Sequence, residues 1–174
     1  MACISLTAYT AQCGEFLKAG FKNKTYMVAY NDLERITGST DVYAISNGVV
    51  NQISLDSGKK FVKVDLDNKS QSLLENVSIS ESGIATETAT FAGSITGFSK
   101  EGSAFVKSLA GQPIVILTQL ANDAWAVIGL DGTIRLTEAV GTHNATDSNR
   151  ALTFSGDEFG GVKYLDSTLV ATLI

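Results

Sequence analysis

The stretch 98–136 constrains this chain more than any other. It opens Phe98-Ser-Lys-Glu-Gly-Ser-Ala-Phe-Val-Lys-Ser-Leu-Ala-Gly-Gln-Pro113 and continues Ile-Val-Ile-Leu-Thr-Gln-Leu120. The first part predicts a helix over 99–110. Ser99 can accept a hydrogen bond from a backbone N–H that the first turn leaves unpaired. Phe105 and Leu109 are four apart and share one face, with Val106 beside them. Lys107 stands near the end, where the helix dipole favours a cation. Gly111 supplies a left-handed stop and Pro113 forbids continuation. An apolar strand follows, then a turn at Asn122-Asp123, then Ala-Trp-Ala-Val-Ile-Gly-Leu130. Asp131-Gly132 is a hairpin dipeptide and introduces Thr-Ile-Arg-Leu136. One helix feeding an apolar antiparallel meander is the expectation.

The rest of the chain reads as strands and turns. With 174 residues, one domain over 1–174 is expected, with an N-terminal arm over about 1–24. A chain 44% hydrophobic with 16 glycines and one proline can bury a core and turn often, which suits a β protein. Strands are expected at 25–30, 42–46, 49–55, 61–66, 74–80, 85–98, 151–156 and 169–174. Asn47-Gly48 and Asp56-Ser-Gly58 mark turns. Residues 15–20 suit a helical turn or part of the arm. Phe61-Val-Lys-Val-Asp-Leu66 alternates in the manner of a strand wet on one face. Residues 31–41 form a long polar connection.

Chemistry is thin. The single histidine, His143, lies in a polar segment and has no second histidine to join. No nucleophile elbow or phosphate-binding glycine loop occurs. Asp65, Asp67 and Asn68, and separately Asp147 and Asn149, offer oxygen ligands but do not match the twelve-position calcium loop. Asp157-Glu158 reads as a charged turn, and Trp125 as core or interface. Cys3 and Cys13 make neither a disulfide scaffold nor a zinc set. Neither a catalytic residue nor a metal nor a cofactor is expected. A net charge of −5 disfavours clamping nucleic acid, which takes clustered Lys and Arg. No signal peptide and no membrane span are expected. The glycosylation patterns at Asn23, Asn68, Asn76 and Asn144 are expected to be chance matches.

A chain with little chemistry of its own suits a role in assembly. The helix over 99–110, the strand over 113–120, and Trp125-x-x-x-Gly129-x-Asp-Gly132 come in that order. Gly141, Asp147-Ser-Asn-Arg150 and Leu152-Thr-Phe-Ser-Gly-Asp-Glu158 follow. This series resembles the tail tube (major tail) proteins of bacteriophages, most closely those of phages of Bacteroidetes-type hosts. The likeness spans about residues 71–174. This chain has Asp-Ser-Asn-Arg where that group carries an Asp-Arg-Asn-Gly-like turn.

The resemblance implies a mostly β fold: an antiparallel β-sandwich or rolled barrel flanked by one α-helix. It implies six copies in a ring, and rings stacked into a tube that conducts DNA into the host. Implied partners are other copies of the chain, the tape measure, terminator and baseplate or hub proteins, and DNA passing non-specifically. The implied location is the virion tail, after assembly in the bacterial cytoplasm. In strand 85–98, Thr86, Thr88, Thr90, Ser94 and Thr96 fall on one face, and Glu87, Ala89, Phe91, Gly93 and Ile95 on the other. The hydroxyl face is expected to line the lumen, with a solvated outer face as the plainer alternative. Glu87 is expected at a subunit boundary or in solvent. Residues 31–47, with Thr37, Gly38, Ser39, Thr40 and Asp41 at their centre, and the arm are expected to make contacts between rings. Rival readings are the inner tube of a contractile injection or type VI secretion machine, and a monomeric β-sandwich module using Trp125 to bind carbohydrate.

Overall fold

In the computed structural model, residues 19–174 are described. The strands are β1 (Phe21–Ala29), β2 (Tyr43–Ser46), β3 (Val49–Ile53), β4 (Val62–Val64), β5 (Ser72–Ile79) and β6 (Ala85–Thr96). After helix α1 (Lys100–Leu109) come β7 (Ile114–Leu120), β8 (Trp125–Ile128), β9 (Arg135–His143), β10 (Ser148–Asp157) and β11 (Lys163–Leu165), then α2 (Ser167–Leu173). They form two sheets. One has seven strands in the order β2-β3-β11-β8-β7-β1-β4, the other four in the order β5-β6-β10-β9. Pairing is antiparallel except between β11 and β3. The architecture is a β-sandwich with a flanking helix. Among the described residues neither sheet closes into a barrel.

The sandwich core lies between the sheets. Met27, Ile114, Ile116 and Ile128 meet Ala89, Phe91, Leu152 and Phe154 there, with Leu109 of α1 closing one end. Helix α1 forms as its sequence dictates. Ser99 Oγ accepts from the Gly102 N–H at 2.9 Å, and Gly111 takes the left-handed φ of 81° that stops it. Arg150 donates to Ser103 Oγ at 3.0 Å and fixes the helix to β10.

A second cluster lies on the opposite face of the seven-stranded sheet. Val28, Val115, Leu117, Trp125 and Val127 pack there with Val50, Phe61, Val170 and Leu173. Of residues 169–174, expected as a strand, 169–173 belong instead to α2 and Ile174 follows it. Leu169, Val170 and Leu173 fall on one stripe of a helix, and Asp166 caps it by accepting from the Thr168 N–H at 2.9 Å. The chain thus has a second helix beyond the one expected.

Three further expectations need correction. Residues 21–24 belong to β1, not to an arm: Phe21 pairs with Leu120 and sets its ring edge-on to Phe91 at 6.3 Å. Asp131-Gly132 forms a turn but not a hairpin, because β8 and β9 lie in different sheets. The buried Ile134 pulls the chain across the core, and its carbonyl accepts from the Ile114 N–H at 2.9 Å. Most of the polar segment 141–150 belongs to β9 and β10, leaving a tight turn closed by the Asn144 side chain on the Thr146 and Asp147 N–H groups. Residues 15–18 of the helical turn suggested at 15–20, most of the arm, and Cys3 and Cys13 lie outside the described residues; residues 19 and 20 are exposed and not helical.

Candidate assembly surface

The outer face of the four-stranded sheet follows from register. Directly paired residues of an antiparallel sheet point to the same side. Thr86, Thr88 and Thr90 pair with Ser78, Asn76 and Leu74 on β5. Thr90, Ser94 and Thr96 pair with Ser155, Ala151 and Asn149 on β10. Thr90 and Ser155 join their hydroxyls at 3.0 Å. Thr153 and Thr142 extend the same face. Its charged members in these registers are Arg135, Glu138 and Asp157. No lysine lies on it among the described residues.

The five expected lumen residues differ in exposure. Thr86 and Thr96 are exposed, Thr88 and Thr90 half-buried, and Ser94 buried. The loop before β5 runs along the edge of β6 and bonds the backbone of Ser94. Ser70 Oγ accepts the Ser94 N–H at 2.8 Å, and the Asp67 N–H donates to the Ser94 carbonyl at 2.9 Å. A hydroxyl face is present, but one of its five residues is buried within the chain. The second expected group lies on the other sheet. Thr37, Gly38, Ser39, Thr40 and Asp41 are exposed and lead into the edge strand β2. The Ile36 N–H donates to the Asp41 carbonyl at 2.9 Å, closing a compact turn. The fold therefore does not bring the two groups together.

The inner face of β5 and β6 changes character along its length. Near the middle, Ala89 and Phe91 are fully buried. Toward the connecting turn the same face carries Val77 and Ile79, which are 54% and 71% exposed, and the half-buried Glu87. Ile84 in the turn is 65% exposed. Among the described residues nothing covers this end. The tip is well built: the Ser80 N–H donates to the Ile84 carbonyl at 2.9 Å, the Gly83 N–H to the Ser80 carbonyl at 2.8 Å, and Ser80 Oγ accepts the Ile84 N–H at 3.1 Å. β5 is also a sheet edge of 8 residues, while the edge strands of the larger sheet have 4 and 3. A long unpaired edge beside bare apolar side chains can pair with another chain.

A buried charge cluster sits where the connections between the sheets meet. Lys163 Nζ donates to Glu158 Oε1 and to Asp131 Oδ2, both at 2.9 Å. Their side chains are 6%, 1% and 14% exposed. Glu158 Oε2 accepts the Gly129 N–H at 2.8 Å. Gly129 has φ 89°, and a Cβ there would stand 2.2 Å from the Ile114 carbonyl oxygen, so only glycine fits. Tyr43 donates its hydroxyl to Asp131 Oδ1 at 3.0 Å, and its ring lies under the Lys163 ammonium. Burial pushes Glu158 above the ordinary carboxylate range, against the pull of Lys163 and Gly129. Burial works against the charge of Lys163, yet its bonds to Glu158 and Asp131 hold it above the usual lysine value. Burial likewise raises the Tyr43 phenol, which stays a donor.

Reading Asp157-Glu158 as a charged turn missed this cluster. The available signal was a lysine five residues after Glu158, across the turn Phe159-Gly-Gly161. Trp125 is 7% exposed, with the Tyr26 ring 6.1 Å away, and offers no open platform for a sugar. His143 is exposed, bonds Ser148 Oγ at 3.1 Å and faces Phe98. Among the described residues no group of three or more His, Cys, Asp or Glu side chains could hold a metal. No helix there is long and apolar enough to cross a membrane. Neither a protein-family model nor a curated protein nor a solved structure matches this chain.

Proposed function

We propose that this chain is a structural subunit that assembles with copies of itself, as the tail tube protein of a bacteriophage. The observation that carries the reading is the end of the β5–β6 hairpin. Val77, Ile79 and Ile84 stand bare there beside the free edge of β5. An isolated subunit leaves that combination in water, and a neighbouring subunit removes it. The resemblance of residues 71–174 to phage tail tube proteins supplies the kind of assembly: hexameric rings stacked into a conduit for DNA. The hydroxyl face suits a lumen, because it stays hydrated and its charges in register, Arg135 against Glu138 and Asp157, leave no net positive charge to hold phosphate. The acidic net charge of −5 on every copy adds to that repulsion. In this reading tape measure, terminator and baseplate proteins meet the tube along and at the ends of the stack.

Negative-stain images of the purified full chain test the reading. Rings or tubes are expected. A particle that stays near 18.4 kDa at high concentration overturns it. Val77→Glu with Ile79→Glu should abolish rings while leaving the β circular dichroism intact. Thr88→Lys with Thr90→Lys should leave rings intact and slow DNA passage.

A further inference from the structure

The buried cluster holds more than an ion pair requires. Lys163 opens β11, Glu158 lies in the β10–β11 connection, and Asp131 in the connection from β8 to β9. One amine therefore meets two carboxyl groups, each 2.9 Å away, in a pocket nearly closed to water. The two carboxyls are held differently. Asp131 receives the Tyr43 hydroxyl on Oδ1 and the Phe159 N–H on Oδ2, so both of its oxygens face donors. Glu158 touches Lys163 through one oxygen and Gly129 through the other, and is free of Tyr43 and Phe159. One carboxyl is thus polarised as an electrophile, and the other is placed to move protons. We propose that Lys163 and Asp131 join in an intramolecular amide bond, with Glu158 as the proton carrier.

The step balances without a cofactor. Glu158 takes a proton from Nζ across their hydrogen bond, which leaves a free amine. Burial favours the protonated form of Glu158. The amine attacks Cγ of Asp131, one bond beyond the oxygen it already touches. As charge gathers on the carboxyl oxygens, Tyr43 and the Phe159 N–H stabilise it. The new N–C bond stays and one C–O bond of Asp131 breaks. The departing oxygen leaves as water with two of the three ammonium protons, relayed by Glu158, which returns to its starting state. An ammonium and a carboxylate become a secondary amide and one water, with no oxidation or reduction.

Amide formation from two ions is unfavourable in water because hydration stabilises both. Burial strips that hydration from the reactants. Fixed geometry adds an effective concentration of about 10⁵–10⁸ M. The product would tie positions 32 residues apart and close a covalent loop around β9 and β10. That loop would clasp the four-stranded sheet to the seven-stranded one.

Mass spectrometry of the full chain, purified and then denatured, decides. The expected mass is one water below the sequence mass. Trypsin should release a branched peptide joining Asp131 to Lys163 and should not cut after Lys163. Lys163→Arg should have its full mass, and Glu158→Gln should form the bond far more slowly or not at all. Asp131-Gly132 can also lose water by closing on its own backbone. Loss of water that persists in Lys163→Arg, without a branched peptide in the unaltered chain, therefore overturns the proposal. So does a full sequence mass after prolonged incubation of the folded protein. Bond formation at an undiminished rate in Glu158→Gln overturns the role given to Glu158. Should the variants fail to fold, the branched peptide of the unaltered chain decides alone. None of these outcomes depends on whether the chain forms tubes.

Discussion

The two sheets are buried differently, and their sequences carry the difference. In the seven-stranded sheet β7 reads Ile114-Val-Ile-Leu117 without interruption. Ile114 and Ile116 enter the core between the sheets, while Val115 and Leu117 enter the cluster under α2. β1 does the same with Met27 and Val28. In the four-stranded sheet β6 alternates instead. Ala89 and Phe91 are buried, while Thr88 and Thr90 on the other face are half-open. A continuous apolar run marks a strand covered on both sides, and alternation marks one covered on a single side. The larger sheet is thus an interior wall, and the smaller one presents one face to solvent.

Large truncations test this contrast most severely. Phe154→Ala should cost about 3–5 kcal/mol in urea unfolding, since it empties the space between the sheets. Leu117→Ala lies on the far face of the larger sheet and should cost about 2–5 kcal/mol. A cost well below that would mean that α2 and its neighbours are a loose cover, not a second core. Ser99→Ala removes the cap of α1 and should cost about 1 kcal/mol in the same measurement. Thr88→Val on the open face should stay within about 0.5 kcal/mol for the isolated subunit. A larger loss would show that the hydroxyl face works within the subunit.

The smallest effect is confined to α2 and depends on pH. The backbone N–H of Thr168, and then its hydroxyl, hold Asp166 below its ordinary value of 3.8. A depressed carboxylate stabilises the fold above its unfolded pKa, and that contribution is lost as the pH falls through the folded one. Amide exchange in residues 168–173 should therefore quicken below about pH 3.8, ahead of the core strands. Asp166→Asn keeps a cap and should remove that pH dependence. Equal acid sensitivity in both proteins would locate the effect elsewhere.

Local signals were legible wherever a short segment holds its own reasons. Ser99, the Phe105 and Leu109 face, and Gly111 are enough to specify α1. Asn47-Gly48 turns the chain between β2 and β3 with both residues at positive φ. Residues 169–174 misled because branched and apolar residues suit a strand as well as a helix when the run is short. What settles them is the cap at Asp166 and the cluster that receives Val170 and Leu173, and that cluster is built from β1, β7 and β8. Asp131-Gly132 misled in a similar way. The dipeptide specifies a turn, but whether the turn returns to the same sheet depends on where Ile134 finds a core.

The sequence by itself determined the β class, the capped helix α1 and the alternating hydroxyl face of β6. Each follows from propensity, periodicity or composition, which act over a few residues. The tertiary structure alone decided that two sheets form, that one is buried on both faces, and that a parallel pair joins β3 to β11. It alone brought Lys163, Glu158 and Asp131 together. Lys163 and Asp131 are 32 residues apart and Gly129 is 29 from Glu158. Only the packing of β8 against β11, with the chain crossing between the sheets on either side, brings these groups within hydrogen-bond reach and removes the water that would otherwise keep them apart.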